Sequence, residues 1–283
     1  MLGLRQYLGR SVSTVASVAS DPMEAWIRVR ERYAAYRDGY MPADLYKADD
    51  NWESELHRIL GPGLDQLKAE FWVVWPQVIA DLEAKGIQAG PASFKGWNDG
   101  DAAFVRAVWC LTRHLRPANV VETGVAHGVT SRVILEALEK NGNGHLWSID
   151  RPPIEPEWQQ HIGMAVDSRL KHRWTYINGS SRRHLPALLA KTGAIELFVH
   201  DSLHSELNVR FEMEQAWAVL RPGCAMVVDD IDLNRAFKNF SSSHSDHRSF
   251  VCAAEPLRPD ARRFNKKGLF GINLKASQDT PLQ

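Results

Sequence analysis

The stretch Asn119-Val120-Val121-Glu122-Thr123-Gly124-Val125-Ala126-His127-Gly128-Val129-Thr130-Ser131 decides how this chain is read. It has the form of a short apolar strand ending in an acid, a turn with two glycines, and the opening of a helix whose Val133, Ile134, Ala137 and Leu138 share one face. Glycine admits positive φ and close approach of a ligand to the main chain, and a helix opening at such a turn points unpaired N–H groups at whatever sits there. The spacing is Gly-x-x-x-Gly after a glutamate, so a dinucleotide cradle of the Gly-x-Gly-x-x-Gly kind fits poorly.

Downstream of this turn, apolar runs and amphipathic stretches alternate, which is the signature of a parallel sheet covered on both faces. Strands are expected over 120–122, 145–149, 174–177, 196–200 and 225–228, with two late ones over 250–253 and 269–274. Helices are expected over 130–140, 158–170, 181–189 and 206–220. The expected fold is therefore α/β, a doubly wound, mostly parallel, seven-stranded Rossmann-like sheet. Upstream, Asp21-Pro22-Met23-Glu24 reads as a helix start, with an Asp cap, a proline at the first helical position and a Glu placed as in a capping box. Trp26, Val29, Tyr33 and Tyr36 follow at helical spacing. More helix is expected over 51–60, 64–84 and 102–115, with interruptions at Gly61-Pro62-Gly63 and at Pro76 and a loop over 90–100. The tryptophans here, including Trp52, Trp72 and Trp75, read as packing residues. The organisation expected is a flexible terminus over 1–20, a helical segment over 21–100, an α/β domain over 101–276 and a tail over 277–283.

Among 283 residues, Lys+Arg and Asp+Glu each number 34. A formal net charge of +0 removes the broad electrostatic case for a nucleic-acid or anionic-membrane partner. Cys110, Cys224 and Cys252 form no Cys-x-x-Cys pair, which suits small core thiols in a reducing, cytoplasmic setting. The run after Arg5 and Arg10 carries Ser11, Ser13, Thr14, Ser17 and Ser20, too polar for a good signal core.

In an open parallel sheet, ligands sit beyond the carboxyl ends of the strands, so the residues that end each strand are the ones to question. Asp150 closes the second strand, where an acid commonly hydrogen-bonds a ribose hydroxyl. Asn178-Gly179-Ser180-Ser181 ends the third, as a base-pocket edge or as ordinary turn sequence. Asp201, in His200-Asp201-Ser202-Leu203-His204, and the pair Asp229-Asp230 end two successive strands, so their carboxylates are expected to converge. Converging carboxylates raise one another's pKa unless something positive intervenes, and a hard divalent cation such as Mg²⁺, held by oxygens, satisfies them. The alternative is that one aspartate caps a helix and another orients a substrate.

These residues together resemble class I S-adenosylmethionine-dependent methyltransferases: Val121-Glu122-Thr123-Gly124, Gly128-Val129-Thr130-Ser131, Asp150 after its strand, and Leu220-Arg221-Pro222-Gly223 leading into Val227-Val228-Asp229-Asp230. The resemblance covers about Phe104 to Leu274. The Asp201-x-x-His204 motif and the Asp229-Asp230 pair narrow it to the small-molecule O-methyltransferases related to macrocin and catechol O-methyltransferases. The resemblance implies a cofactor site made of Glu122, Gly124, Gly128, Thr130, Ser131, Asp150, Gly179, Ser180 and Asp201, with Glu122, Gly124 and Gly128 at the methionine end and Asp150 on the ribose. It makes Asp201, Asp229 and Asp230 the metal-ligand candidates. Cys224 and His200 depart from the family pattern, the first where a second glycine is usual and the second where an apolar residue is common.

A neutral alcohol is a poor nucleophile, so such a site holds it in line and helps remove its proton, through a metal or a histidine. His204, with Asp201, is the first candidate for that role; His200 and Lys238 stand behind it, and His127 either touches the cofactor or fills space. Residues 231–267, with His244, His247, Arg248, Arg262, Arg263, Lys266 and Lys267, read as a long polar loop serving as a lid or as a solvated basic surface. The expected activity is methyl transfer to a hydroxyl of a small molecule, a natural product or a saccharide, with Mg²⁺ assisting. Metal-independent methylation of nitrogen or carbon, and a non-catalytic nucleotide-binding module, are the alternatives. The N-terminal helices either cover the substrate pocket or join subunits of a homo-oligomer.

Overall fold

A computed structural model describes residues 21–38, 45–61, 63–86, 101–151, 159–255 and 268–277. The expectations for 1–20 and 90–100, and for Arg262, Arg263, Lys266 and Lys267, lie outside the described residues. Seven strands form one sheet: β1 (Asn119–Thr123), β2 (His145–Asp150), β3 (Trp174–Asn178), β4 (Ile195–His200), β5 (Leu220–Val228), β6 (His247–Ala253) and β7 (Leu269–Lys275). Their order is β3-β2-β1-β4-β5-β7-β6, parallel except that β7 runs antiparallel to both neighbours. The chain winds outward from β1 through β2 to β3, then returns to the other side of β1 with β4. The switch point between β1 and β4 opens a crevice beyond their carboxyl ends.

Helices cover both faces: α1 (Pro22–Asp38), α2 (Trp52–Leu60), α3 (Leu64–Ala84), α4 (Ala102–Leu115), α5 (Val129–Asn141), α6 (Ser181–Thr192), α7 (Glu206–Val219) and α8 (Ala236–Ser243). Successive strand residues point to opposite faces, so Val120, Leu197 and Val227 join α2 to α5 in one core, while Val121, Phe198 and Val228 join α6, α7 and α8 in the other. Trp52 and Trp75 are buried in the first core, and Trp109, also buried, donates its indole N–H to the Leu67 carbonyl at 2.9 Å. Trp72, by contrast, is exposed. The buried Arg106 ties the front helices to the sheet, pairing with Glu53 of α2 at 2.8 Å and with Glu255 beyond β6 at 2.8 Å. Cys110 and Cys252 are buried thiols and no cysteine is bridged.

Four expectations are corrected. Pro76 does not interrupt α3, which runs unbroken from Leu64 to Ala84. Burial of Phe71, Val74, Trp75, Val78, Ile79 and Leu82 along one side outweighs the backbone hydrogen bond that proline forgoes. The helix expected over 158–170 does not continue past Gln159, and residues 160–170 make turns and then enter a 3₁₀ segment, Ser168–Arg173. Its backbone serves the glycine turn instead: the N–H groups of Gly163 and Ala165 donate to the carbonyls of Ala126 (2.9 Å) and His127 (2.8 Å). Residues 231–255 are no loop, because they hold a 3₁₀ turn, α8 and strand β6. His244 stacks on Phe240 with ring centroids 4.0 Å apart, His247 meets the edge of Trp217, and Arg248 pairs with Glu55, so none of these three forms a lid. Finally, the aromatic stripe of α1 faces outward: Trp26, Tyr33 and Tyr36 are about two-thirds exposed, while Glu31 is 2% exposed.

Candidate active site

Two backbone contacts tie the end of β1 to its neighbours β4 and β2, and the site is built on them. Asp201 N–H donates to the Thr123 carbonyl at 2.8 Å, and Gly124 N–H donates to the Ile149 carbonyl at 2.9 Å. Gly124 has φ +87°, and a Cβ placed on it would lie 1.9 Å from the Asp201 carbonyl oxygen. The glycine is required because the turn lies against the backbone of β4's exit. Gly128, at φ +81°, lets α5 start against Gly163, whose Cα would stand 2.8 Å from a Cβ. Ala126 also takes a left-handed conformation, φ 46°, and its N–H donates to Asp150 Oδ2 at 3.0 Å.

The sequence-predicted cofactor residues gather around this turn. Glu122 is fully buried and accepts from Ser131 Oγ and Ser148 Oγ, each at 2.7 Å, through one carboxylate oxygen. Its other oxygen is buried without a partner. Burial pushes this carboxyl up to about 7, against the two serine hydrogen bonds, and the nearby Asp150 charge adds to the rise. Asp150 is itself raised by desolvation, opposed by the N–H groups of Ala126, Val125 and Arg151. Gly179 N–H donates to the Asp150 carbonyl at 2.9 Å, which fixes the turn after β3 beside the one after β2. Thr130 and Ser180 are buried, and Ser180 Oγ donates to Glu24 of α1 at 2.8 Å. His127 is buried near His161.

Across the crevice, Asp201, His204 and Asp229 bring ligand atoms within 4.8 Å of one another. His204 Nε2 lies 3.9 Å from Asp201 Oδ1 and 3.7 Å from Asp230 Oδ2. Asp230 is left-handed, φ 50°, and stands outside the convergent trio, approaching it through His204. Asn234 Nδ2 donates to the His204 carbonyl at 3.0 Å and Tyr46 Oη donates to the Asn234 carbonyl at 3.0 Å, which braces the loop carrying the imidazole. Desolvation first, then the charges of Asp230 and Glu122, push the Asp201 carboxyl well above the usual range. Two carboxylates and an imidazole at this spacing can hold a divalent cation, or can move a proton between His204 and its acidic neighbours.

His200, a candidate base, is turned away from the crevice. Its Nδ1 sits 2.6 Å from Glu212 Oε2, with both side chains wholly buried. Glu212 also accepts from Thr123 Oγ1 (2.5 Å), Ser202 Oγ (2.9 Å) and Asn208 Nδ2 (2.9 Å). Burial works against this carboxylate, but the His200 charge and hydrogen bond prevail and bring it down to about 2. Sequence reasoning missed Glu212, although an acid between Val209, Met213 and Ala216 on the apolar side of an amphipathic helix was a visible signal. Lys238, the other candidate base, donates its backbone N–H to Tyr46 Oη at 3.0 Å.

Residues 121–231 match a family described as a methyltransferase domain, a stretch that runs from within β1 to the turn after β5 and includes the glycine turn, Asp150 and the Asp201, His204 and Asp229 trio. The fold is similar to that of the O-methyltransferase TomG from Streptomyces achromogenes, involved in tomaymycin synthesis and solved with S-adenosylmethionine. Identity is 15%, the TM-score is 0.53, and the match covers 87% of this chain and 99% of that one. It is also similar to an O-methyltransferase from Bacillus cereus solved with S-adenosylhomocysteine, at 11% identity and a TM-score of 0.53, over 72% of this chain and 91% of that one. No curated protein matches the sequence.

Proposed function

We propose that this methyltransferase-domain chain transfers the methyl group of S-adenosylmethionine to a hydroxyl of a small molecule. One observation carries the reading: the acid-rich trio Asp201, His204 and Asp229 stands at the switch point directly beside the Glu122–Gly128 turn. S-adenosylmethionine, when bound, supplies a methyl group on an electrophilic sulfonium. The protein's part is to hold the cofactor, align the acceptor oxygen and take its proton.

Asp150 is the ribose acceptor, its carboxylate held ready at the turn by the Ala126 N–H. The unpartnered Glu122 oxygen, buried at the other end of the same turn, is suited to a cationic amino group at the methionine end. Thr130, Ser131, Gly179 and Ser180 shape the walls between them. His204 is the base. A proton arriving on its Nε2 is balanced by Asp201 and Asp230, both within 4 Å.

A divalent metal would be held by the Asp201 and Asp229 carboxylates, with Asp230 completing the set while His204 acts as base, or with His204 as a ligand in place of that role. It would lower the pKa of an acceptor hydroxyl and position it. All-oxygen ligation by the three aspartates suits Mg²⁺, whereas a set that includes the His204 imidazole suits a transition metal better.

Thermal melting with S-adenosylmethionine, with and without Mg²⁺ or a chelator, tests this reading, since a ligand that binds only the folded state stabilises it by mass action. A rise in Tm with the cofactor, enlarged by metal, is expected. An unchanged Tm at saturating S-adenosylmethionine refutes the cofactor site, and a rise indifferent to metal and chelator refutes the metal.

A further inference from the structure

Helix α1 lies outside the methyltransferase-domain match, yet it is docked across the sheet edge where strands β2, β3 and β4 leave the sheet. Arg151, next to Asp150 after β2, places Nη1 3.6 Å from Glu24 and 3.4 Å from Glu31. After β3, Ser180 Oγ donates to Glu24 at 2.8 Å, Arg182 Nε stands 3.5 Å from Glu31, and Arg183 pairs with Asp21. After β4, the N–H of Glu206 at the start of α7 donates to Asp38 at 2.7 Å. One 17-residue helix therefore spans three strand exits, including those of Asp150 and Gly179.

The manner of docking is unusual. Met23, Trp26, Val29, Tyr33 and Tyr36 are more than 60% exposed, and the inner face presents Glu24, Arg28 and Glu31 beside two buried apolar residues, Ala25 and Ile27. Buried ion pairs are poor sources of stability, because desolvation offsets most of the attraction, but they set position. A helix held this way is placed for what it covers rather than for the core it adds.

We propose that α1 forms the outer wall of the adenosyl end of the cofactor pocket, with Glu31, clamped between Arg151 and Arg182, as its positioning residue. The inference rests on the S-adenosylmethionine reading. Asp150 and Gly179, which that reading assigns to the nucleoside, lie one residue from the groups α1 grips. A nucleoside seated there leaves only when the Glu31 ion pairs open.

The test uses the full chain and two probes: S-adenosylhomocysteine, and 5′-methylthioadenosine, which keeps the adenosyl end and lacks the amino acid. In Glu31→Gln, both probes should dissociate faster by the same factor, about tenfold, because the wall meets only the part they share. In the wild type, S-adenosylhomocysteine should slow amide hydrogen exchange across Pro22–Asp38. In the variant that protection should be lost, while protection of β1 and β4 persists. If Glu31→Gln does not fold, the wild-type exchange measurement decides alone. The proposal is overturned if bound S-adenosylhomocysteine leaves exchange in Pro22–Asp38 unchanged, or if both probes leave a folded Glu31→Gln at the wild-type rate. If the wild type binds neither probe, the cofactor reading itself fails and takes this inference with it.

Discussion

Replacing Gly124 by alanine isolates what the glycine turn does. Gly124 sits at φ +87°, and its new Cβ would meet three backbone atoms: Asp201 O at 1.9 Å, Asp201 C at 2.4 Å and Ser202 N at 2.8 Å. None is a side-chain tip that can swing aside, so either β1's turn or β4's exit must move. A left-handed backbone costs an L residue about 1–2 kcal/mol. Overpacking against fixed atoms adds about 1–3 kcal/mol, so Gly124→Ala is expected to lose about 2–5 kcal/mol. Gly142 supplies the control, since it has φ +75° but a Cβ there would meet nothing within 4 Å. Gly142→Ala should lose only the backbone share, about 1–2 kcal/mol. Urea unfolding of both variants, compared at matched m values, reads the difference. Because the Asp201 N–H is bonded to Thr123, the displacement should also carry its carboxylate out of the trio and remove turnover. If the two variants agree to within about 0.5 kcal/mol, the turn does not press on Asp201 and the site as built here is wrong.

Other outcomes follow from the buried acids. The Glu122 carboxyl has its folded pKa raised to about 7, from an ordinary 4.5. Its ionisation therefore penalises the folded state above pH 7, and the penalty fades as pH falls towards 4.5. Glu122→Gln should accordingly stabilise the ligand-free protein by up to about 3 kcal/mol at pH 8 and by almost nothing at pH 4.5, read from denaturation midpoints, while weakening S-adenosylmethionine binding. An equal gain at both pH values would contradict the assignment. Glu212→Ala should cost about 3–5 kcal/mol, because it strands a buried His200 and leaves the Thr123 and Ser202 hydroxyls without their acceptor; a loss under about 1 kcal/mol would show the pair to be dispensable. By calorimetry, Asp150→Ala should weaken S-adenosylmethionine binding, whereas Asp229→Ala should bind it normally and fail to turn over. Full activity in Asp229→Ala would make the carboxylate cluster structural.

Much of the sheet was legible because its signal is local. All seven strands lie where alternating apolar runs placed them, and the acids at the ends of β2, β4 and β5 follow from topology once β1 is recognised. Three of the failures share one cause, which is that the partner was distant in sequence. Residues 160–167 gave up helical hydrogen bonds for the carbonyls of Ala126 and His127, and nothing within the segment announces that. His200 looked like a candidate base until Glu212, twelve residues on, claimed its ring. The stripe Trp26, Tyr33 and Tyr36 has the period of a buried face and is exposed, since the surface α1 meets is made of arginines.

By itself, then, the sequence determined the order and type of the elements, the glycine turn after β1, and the acidic character of the crevice, because periodicity, turn chemistry and strand-end acids are short-range properties. Only the tertiary structure decided which side chains share the crevice. It brought His204 beside Asp201 and Asp229, sent His200 into the core, and laid α1 over the exits of β2, β3 and β4. Those outcomes depend on which distant carboxylates and guanidinium groups meet when the sheet closes, and no local pattern encodes that meeting.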